Sequence, residues 1–289
     1  MKAAPFSYHA PRTRSELIGL LGSLDNARMI AGGQSLVPML NLRIAAPDHL
    51  IDLNRVEGLA GIALHGGKLV IGAMTRQREA ENSPLVAEHC PLLIEALKHV
   101  GFQQTRNRGT VGGSIAHMDP TAELIVAAYA LGADVVFEGG DGERSMPVRE
   151  FNDGYLCNKL RPGELLVRIE FPVMGPRHGA AFEEVTRRGE SLSVVSVAAL
   201  FELGRSGEVT RAEAAVGGMG PEPVCLELGA WLGRPASLDM ADELARLAGS
   251  LGADEDLTIP AEYKQHLAVV LTRRAASRAL GRALELRHD

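Results

Sequence analysis

The stretch that decides the reading is Arg106-Asn107-Arg108-Gly109-Thr110-Val111-Gly112-Gly113-Ser114-Ile115-Ala116-His117-Met118-Asp119-Pro120. A glycine pair and a hydroxyl follow a short lead-in, and Asp119-Pro120 reads as the N-cap and first position of a helix running to Leu131. Glycine has no Cβ, so neighbouring backbone N–H groups can approach an anion closely. Consecutive N–H groups form a nest for phosphate oxygens, and a helix N-terminus adds a favourable dipole. The design occurs again upstream in Ala31-Gly32-Gly33-Gln34-Ser35, after the apolar run that starts at Ala27. The Gln34 amide and the hydroxyls add donors. Taken singly, a Gly-Gly-Ser is more often a tight turn. Two such loops suit a pyrophosphate, which has two phosphoryl groups to grip.

The common alternatives fail. The chain has no GxGxxG and no GxxxxGK[ST], so neither a Rossmann dinucleotide site nor a P-loop is expected. Gly112-Gly113-Ser114-Ile115-Ala116 comes within one residue of a GxSxG nucleophile elbow, but Ala116 replaces the last glycine. The three cysteines, Cys90, Cys157 and Cys225, lie far apart. An ordinary iron–sulfur cluster needs four thiolates, so they read as buried free thiols. No tight histidine spacing marks a metal site, and no residue stands out as a catalytic base.

Working outward, Thr13 and Glu16 have capping-box spacing ahead of Leu17, Leu20, Leu21 and Leu24. Gly66-Gly67 between Ile62–His65 and Lys68–Ile71 predicts a two-residue hairpin. Ser83-Pro84 and Pro91–Val100 predict helices, and Val135–Phe137 and Leu165–Phe171 predict strands. Loop residues cluster at Pro172, Gly175, Pro176 and Gly179, which places a domain boundary there. Beyond it, Ala180–Thr186, Val194–Leu203 and Glu208–Val216 read as strands. Helices are expected at about Cys225–Leu232, at Met240–Leu251 and from Pro260 onward. Strands followed by helices indicate an α+β domain. The domains are expected at 1–174, in two lobes meeting near residue 57, and at 178–289.

The chain has 289 residues, 46 % apolar and 23 % charged, with a formal net charge of −6. That is ordinary composition for a soluble protein. No basic block invites nucleic acid or an anionic membrane. The start lacks the apolar core of a signal peptide and no stretch is long enough to span a bilayer, so a cytoplasmic location is expected.

Ala31–Arg43 resembles the first FAD loop of the flavoprotein subunits of molybdenum hydroxylases, and Arg106–Pro120 resembles their second. That family includes the medium subunit of aerobic carbon monoxide dehydrogenase and the subunits that serve xanthine and N-heterocycles. Ala214–Val224, and Tyr263 with the Arg-rich helix after it, resemble the family's C-terminal domain. The resemblance implies a two-lobed PCMH-type FAD-binding domain followed by a smaller α+β domain, with FAD between them. It implies that Ala31, Gly32, Gly33, Gln34, Ser35, Thr110, Val111, Gly112, Gly113 and Ser114 hold the pyrophosphate. Asp119 and Glu123 would neighbour the cofactor and Leu166 would lie beside the flavin. The residues alone leave Asp119 a helix cap, Glu123 a solvated first-turn residue and Leu166 plain core. Arg106 and Arg108 would offset phosphate charge, face a partner or sit in solvent.

The resemblance also implies partners: a large subunit with the molybdenum cofactor and a small subunit with [2Fe–2S] clusters, as a dimer of heterotrimers. Electrons would reach FAD from the clusters and leave to an external acceptor. One departure stands out. Where many relatives carry an aromatic near the flavin ring, this chain reads Glu190-Ser191-Leu192-Ser193. Two rivals share the loop design: a self-contained flavin oxidase, and a non-catalytic module that has kept the FAD fold.

Overall fold

The computed structural model describes residues 2–256 and 258–286. The first lobe contains β1 (Ser7–His9), α1 (Arg14–Ser23), β2 (Ala27–Ile30), α2 (Leu36–Asn41) and β3 (His49–Asp52). Its strands form a parallel sheet in the order β1-β3-β2. Thr13 caps α1 by accepting from the Glu16 N–H, and the Glu16 carboxylate accepts from the Arg12 N–H.

The second lobe runs through β4 (Ile62–His65), β5 (Lys68–Gly72), α3 (Gln77–Glu81), α4 (Pro84–His89) and α5 (Pro91–His99). It continues with α6 (Gln103–Arg108), α7 (Val111–His117), α8 (Glu123–Leu131), β6 (Asp134–Gly139), β7 (Gly142–Pro147) and β8 (Leu165–Pro172). Its five strands pair antiparallel in the order β4-β5-β8-β6-β7. The Gly66-Gly67 hairpin forms as expected, with φ of +58° and +75°, the positive values a type I′ turn requires. Strand alternation sends Leu165 and Val167 into a core with Leu17, Ile51 and Leu59 of the first lobe. Leu166 points to the other face, into the core shared with α5, α7 and α8.

The C-terminal part contains β9 (His178–Thr186), β10 (Ser193–Leu203), β11 (Val209–Gly217), β12 (Val224–Cys225), α9 (Met240–Ala248) and α10 (Ala261–Glu285). The sheet is antiparallel in the order β12-β11-β10-β9. One face, with Ala181, Val195, Val197 and Ala199, is covered by α9 and α10. The other, with Phe182, Ala198, Leu200 and Ala215, joins the core around α8. α10 lies close because its inner residues are small: Ala268, Ala275, Ala276, Ala279 and Ala283 are all fully buried. Gly179 is required there, since a Cβ would fall on the Ala279 carbonyl and lie 2.5 Å from the Ala283 nitrogen.

Every residue of α8 is buried. A helix apolar nearly all round needs protein on all sides, and α8 has it: the five-stranded sheet and the C-terminal sheet share its core. Its C-terminal carbonyls take cations, as the helix dipole favours. Arg149 donates to the Tyr129 carbonyl and Arg211 to the Leu131 carbonyl, at 2.7 Å each.

The structure departs from the sequence expectations at several places. Asp119-Pro120 does not start α8; the helix begins at Glu123. Asp119 instead accepts from Thr121 in a turn, while the Pro120 and Thr121 carbonyls bond to Gly218 N–H and the Ser193 hydroxyl. Those long-range bonds hold the segment out of the helix. The Gly112-Gly113 pair lies inside the short helix α7, capped by Thr110, and not in an open loop. The helix expected at about Cys225–Leu232 is reduced to a 3-10 turn at Gly229–Trp231, because Val224 and Cys225 extend the sheet beside Val216 and Ala215. β7 was not anticipated, since its polar sequence GERSMP suits an exposed edge strand. Cys157 is exposed, unlike buried Cys90 and half-buried Cys225.

Substituting Gly179→Val should cost stability by about 1–3 kcal/mol or more, because backbone of α10 cannot yield as a side chain would. Urea denaturation measures it. An unchanged midpoint would show that α10 is not held at this contact.

Candidate functional site

The two glycine segments meet backbone to backbone. A Cβ on Gly32 would fall on the Arg108 carbonyl oxygen and lie 2.8 Å from the Gly109 Cα. A Cβ on Gly113 would sit 3.6 Å from that of Ala31. At Gly32 the contact leaves no room for a side chain, while at Gly113 a Cβ would instead lie 2.6 Å from the Thr110 hydroxyl oxygen.

The segments are not equivalent. In the first, Gly33 has φ +75° and the chain turns into α2. The N–H groups of Gly33, Gln34 and Ser35 donate to no other described residue, and Ser35 makes no side-chain cap. The Gln34 side-chain amide donates back to the Gly32 carbonyl at 3.3 Å. This is an open nest of donors. In the second, every amide from Val111 to Ser114 is taken: by the carbonyls of Thr75 and Ala73, then by the Thr110 hydroxyl and carbonyl. A Cβ on Gly112 would lie 2.5 Å from that of Ala73, so Gly112 is a packing glycine. The expectation of two equivalent nests is therefore corrected. The second segment carries the half-buried Ser114 hydroxyl and that of Thr110, which is 2 % exposed, while the first offers amides.

A polar brace holds the two segments together. Asn54 donates to the Ala31 carbonyl at 3.0 Å, and Arg76 bonds to both Asn54 and the Arg108 carbonyl. Asp52 fixes Asn54 from behind and accepts from the Tyr8 hydroxyl. Burial, with the nearby Arg108 charge, lowers the Arg76 pKa. The charges of Asp52 and Glu79 act on Arg76 in the opposite direction. Arg106 is not part of the brace: Glu81 and the carbonyls of Val100 and Gly101 occupy its guanidinium.

Glu123 is only 5 % exposed, which overturns its reading as a solvated first-turn residue. Burial, with the charges of Glu184 and Asp119 nearby, raises its pKa to about 8. It sits at the start of α8, one turn beyond Asp119, where the helices of the second lobe meet the C-terminal sheet. Leu166 is 4 % exposed and pairs with Phe137 beside a bulge; its neighbour Val167 accepts from the N–H of Ala73, the residue that receives Gly112. Surface hollows lined by Lys2–Phe6 or by Ile62, Arg78 and Asn82 lie apart from this arrangement.

Sequence reasoning missed Asn54, Arg76, His99 and Glu184. His99 Nδ1 lies 3.1 Å from Glu184 Oε1 across 85 positions of chain, a pairing no local pattern signals. Asp52-Leu53-Asn54 carries a local Asx signal, but nothing in it points to Ala31.

Residues 4–174 match the family described as the FAD binding domain in molybdopterin dehydrogenase. The chain belongs to the FAD-binding subunits of the molybdenum hydroxylases. Residues 180–279 match the carbon monoxide dehydrogenase flavoprotein C-terminal domain. The chain is 36 % identical over 282 residues to the carbon monoxide dehydrogenase medium chain of Hydrogenophaga pseudoflava, covering 96 % of this chain and 98 % of that one. It is 34 % identical over 287 residues to the 6-hydroxypseudooxynicotine dehydrogenase complex subunit alpha of Paenarthrobacter nicotinovorans, covering 98 % and 97 %. The solved Hydrogenophaga pseudoflava carbon monoxide dehydrogenase superposes with a TM-score of 0.93 over 98 % of this chain and 99 % of that one, at 36 % identity. Quinoline 2-oxidoreductase from Pseudomonas putida 86 gives 0.92 at 33 % identity, over 98 % and 100 %. This chain is thus the flavoprotein subunit of a molybdenum-dependent oxidoreductase, of mixed α and β fold, and FAD is its cofactor.

The Glu123 pKa implies a pH dependence of stability. Below its ordinary value of 4.5 the acid is protonated in both folded and unfolded chains. Between there and about 8 the folded chain keeps a proton that the unfolded chain has released, so stability falls as pH rises. Glu123→Gln should flatten that fall by an amount on the order of a few kcal/mol. Denaturant titrations of the flavin-free chain at several pH values measure it, and parallel curves for both proteins would place the carboxyl in water.

Proposed function

We propose that this subunit is an electron relay that receives electrons from [2Fe–2S] clusters on a small partner subunit and passes them to an external acceptor. On this reading the organic substrate is hydroxylated on a large subunit carrying the molybdenum cofactor. The assembly is a cytoplasmic dimer of heterotrimers. The observation that carries the reading is the joined pair of glycine segments, with unclaimed amides on one and hydroxyls on the other.

In this assignment the N–H groups of Gly33, Gln34 and Ser35 grip the pyrophosphate oxygens, and Ala31 and Gly32 shape the turn. The Thr110 oxygen accepts from Gly113 and keeps its hydroxyl proton for a phosphate oxygen. Ser114 donates alongside it, while Val111, Gly112 and Gly113 seat α7 against the first loop. Arg76 and Arg108 offset the phosphate charge. From the pyrophosphate the cofactor would follow α7, whose seven residues rise about 10 Å, toward Asp119 and Glu123. Glu123 would meet the polar edge of the ring, and Leu166 would supply an apolar wall. Bound FAD lets the subunit take electrons singly and release them in pairs.

Two further features support a relay. The chain has three cysteines, too few for a cluster of its own. The relatives described above are named as a medium chain and as a subunit of a dehydrogenase complex.

Gly33→Val should lower FAD affinity at least about tenfold, equal to about 1.4 kcal/mol, with an unchanged circular dichroism spectrum. A branched side chain is strained at φ +75°, and its Cβ would lie 3.1 Å from Val37. Flavin absorbance after gel filtration gives the measurement, and full flavin retention would mean the loop is an ordinary turn.

The relay is tested by anaerobic flavin bleaching. The isolated FAD-loaded chain should stay oxidised when given N-heterocycles, aldehydes or carbon monoxide. With the co-encoded subunits restored, the correct substrate should bleach it. Rapid bleaching of the chain alone would favour a self-contained oxidase.

A further inference from the structure

Two glycine segments that grip one pyrophosphate must stand at one spacing, because its phosphoryl groups share a bridging oxygen. The contact at Gly32 sets how near the segments can come, but it does not stop them from parting. Two side chains do that. Arg76 is tied to the second segment by its main chain. It bridges to Thr110, and on either side of it Val111 donates to the Thr75 carbonyl and Gln77 donates to the Gly109 carbonyl. Asn54 is tied to the first segment. It follows β3, whose Asp52 lies opposite Ile30 of β2, and it donates to the Ala31 carbonyl at 3.0 Å. The two side chains meet where Arg76 donates to Asn54 Oδ1 at 2.6 Å. The other arm of the guanidinium donates to the Arg108 carbonyl, the oxygen on which a Gly32 Cβ would fall.

Both side chains are fully engaged in this link. The Asn54 amide donates to the Ala31 carbonyl and to Asp52 Oδ1, and accepts from Arg76. Those bonds set its orientation, and neither Asp nor Leu has both a donor and an acceptor to replace it. The Arg76 fork holds two acceptors in one plane, a geometry that a lysine ammonium does not reproduce. Asn54 is exposed and Arg76 half-buried. Water can replace such bonds at small cost to the fold. What goes with them is the spacing of the segments.

On the pyrophosphate assignment above, which this role presupposes, we propose that Asn54 and Arg76 are a positioning pair for FAD. Acting together, they hold the glycine segments at the spacing of the pyrophosphate. Arg76 thus contributes through geometry as well as charge, and Asn54 contributes to cofactor affinity through the Ala31 carbonyl. Segments already held in place leave less ordering to be done on binding.

The test is the affinity of the full flavin-free chain for FAD, by fluorescence titration, measured beside its urea midpoint. Asn54→Leu and Arg76→Lys should each weaken FAD binding about tenfold, with the midpoint close to that of the parent chain. The double variant should lose no more than the weaker-binding single variant, because both substitutions break one path. Parent affinity in Arg76→Lys would mean that this residue acts by charge alone, and additive losses would mean that the two act apart. Either result overturns the pair. So does a lowered midpoint with unchanged affinity in the folded chain, which would make both residues parts of the fold alone. If Asn54→Leu fails to fold, Arg76→Lys decides. Gly33→Val separates the pair from the assignment beneath it. Full flavin retention there removes the assignment and the pair with it, whereas loss there with intact binding in both pair variants overturns the pair alone.

Discussion

The rest of the structure depends on the burial of α8. A nine-residue helix with every side chain out of water cannot exist at the edge of one sheet. It requires the five-stranded sheet and the C-terminal sheet together, so the two parts of the chain share one core. The close approach is tight enough that a Cβ on Gly217 would fall on Val126. Arg149 and Arg211 take the carbonyls that the helix end would leave unpaired inside this core. The same burial places Glu123 at the seam and raises its pKa. The feature that joins the domains thus also sets the electrostatics beside the proposed flavin ring.

The second constraint is the meeting of the glycine segments. The first could not approach the second with a side chain at Gly32. The brace from Tyr8 through Asp52, Asn54 and Arg76 fixes the approach by bonding backbone carbonyls of both. The division of labour follows. The first segment keeps its amides free because it turns through a positive φ, while the second spends its own on α7 and the end of β5. Bonds that fix the approach before a ligand arrives would limit the ordering cost of binding.

The polar seam differs in character from the loops. Its acids are drawn from α5, α8 and β9, which pack together only in the folded chain. Most of the cations there come from α10 and neutralise Glu95 and Glu183, not Glu184. Leu192 lies next to this region, 64 % exposed, beside Ser193, whose hydroxyl bonds to the Thr121 carbonyl.

Local chemistry in the sequence determined the elements whose signals lie within a few residues: the Thr13 cap, the Gly66-Gly67 hairpin, the β9 to β11 strands, the long C-terminal helix and the glycine pairs. Cap, turn and periodicity act through neighbouring backbone, so they survive in the bare sequence. The tertiary structure decided everything that competes over distance. Ladder bonds to β11 claimed Val224 and Cys225 from a helix, and bonds from Gly218 and Ser193 kept Pro120 and Thr121 out of α8. Packing turned the amides of Val111 to Ser114 inward and buried Glu123. No local pattern states that Asn54 meets Ala31, or His99 meets Glu184. The energies of those contacts exist only once remote segments have been brought together around α8.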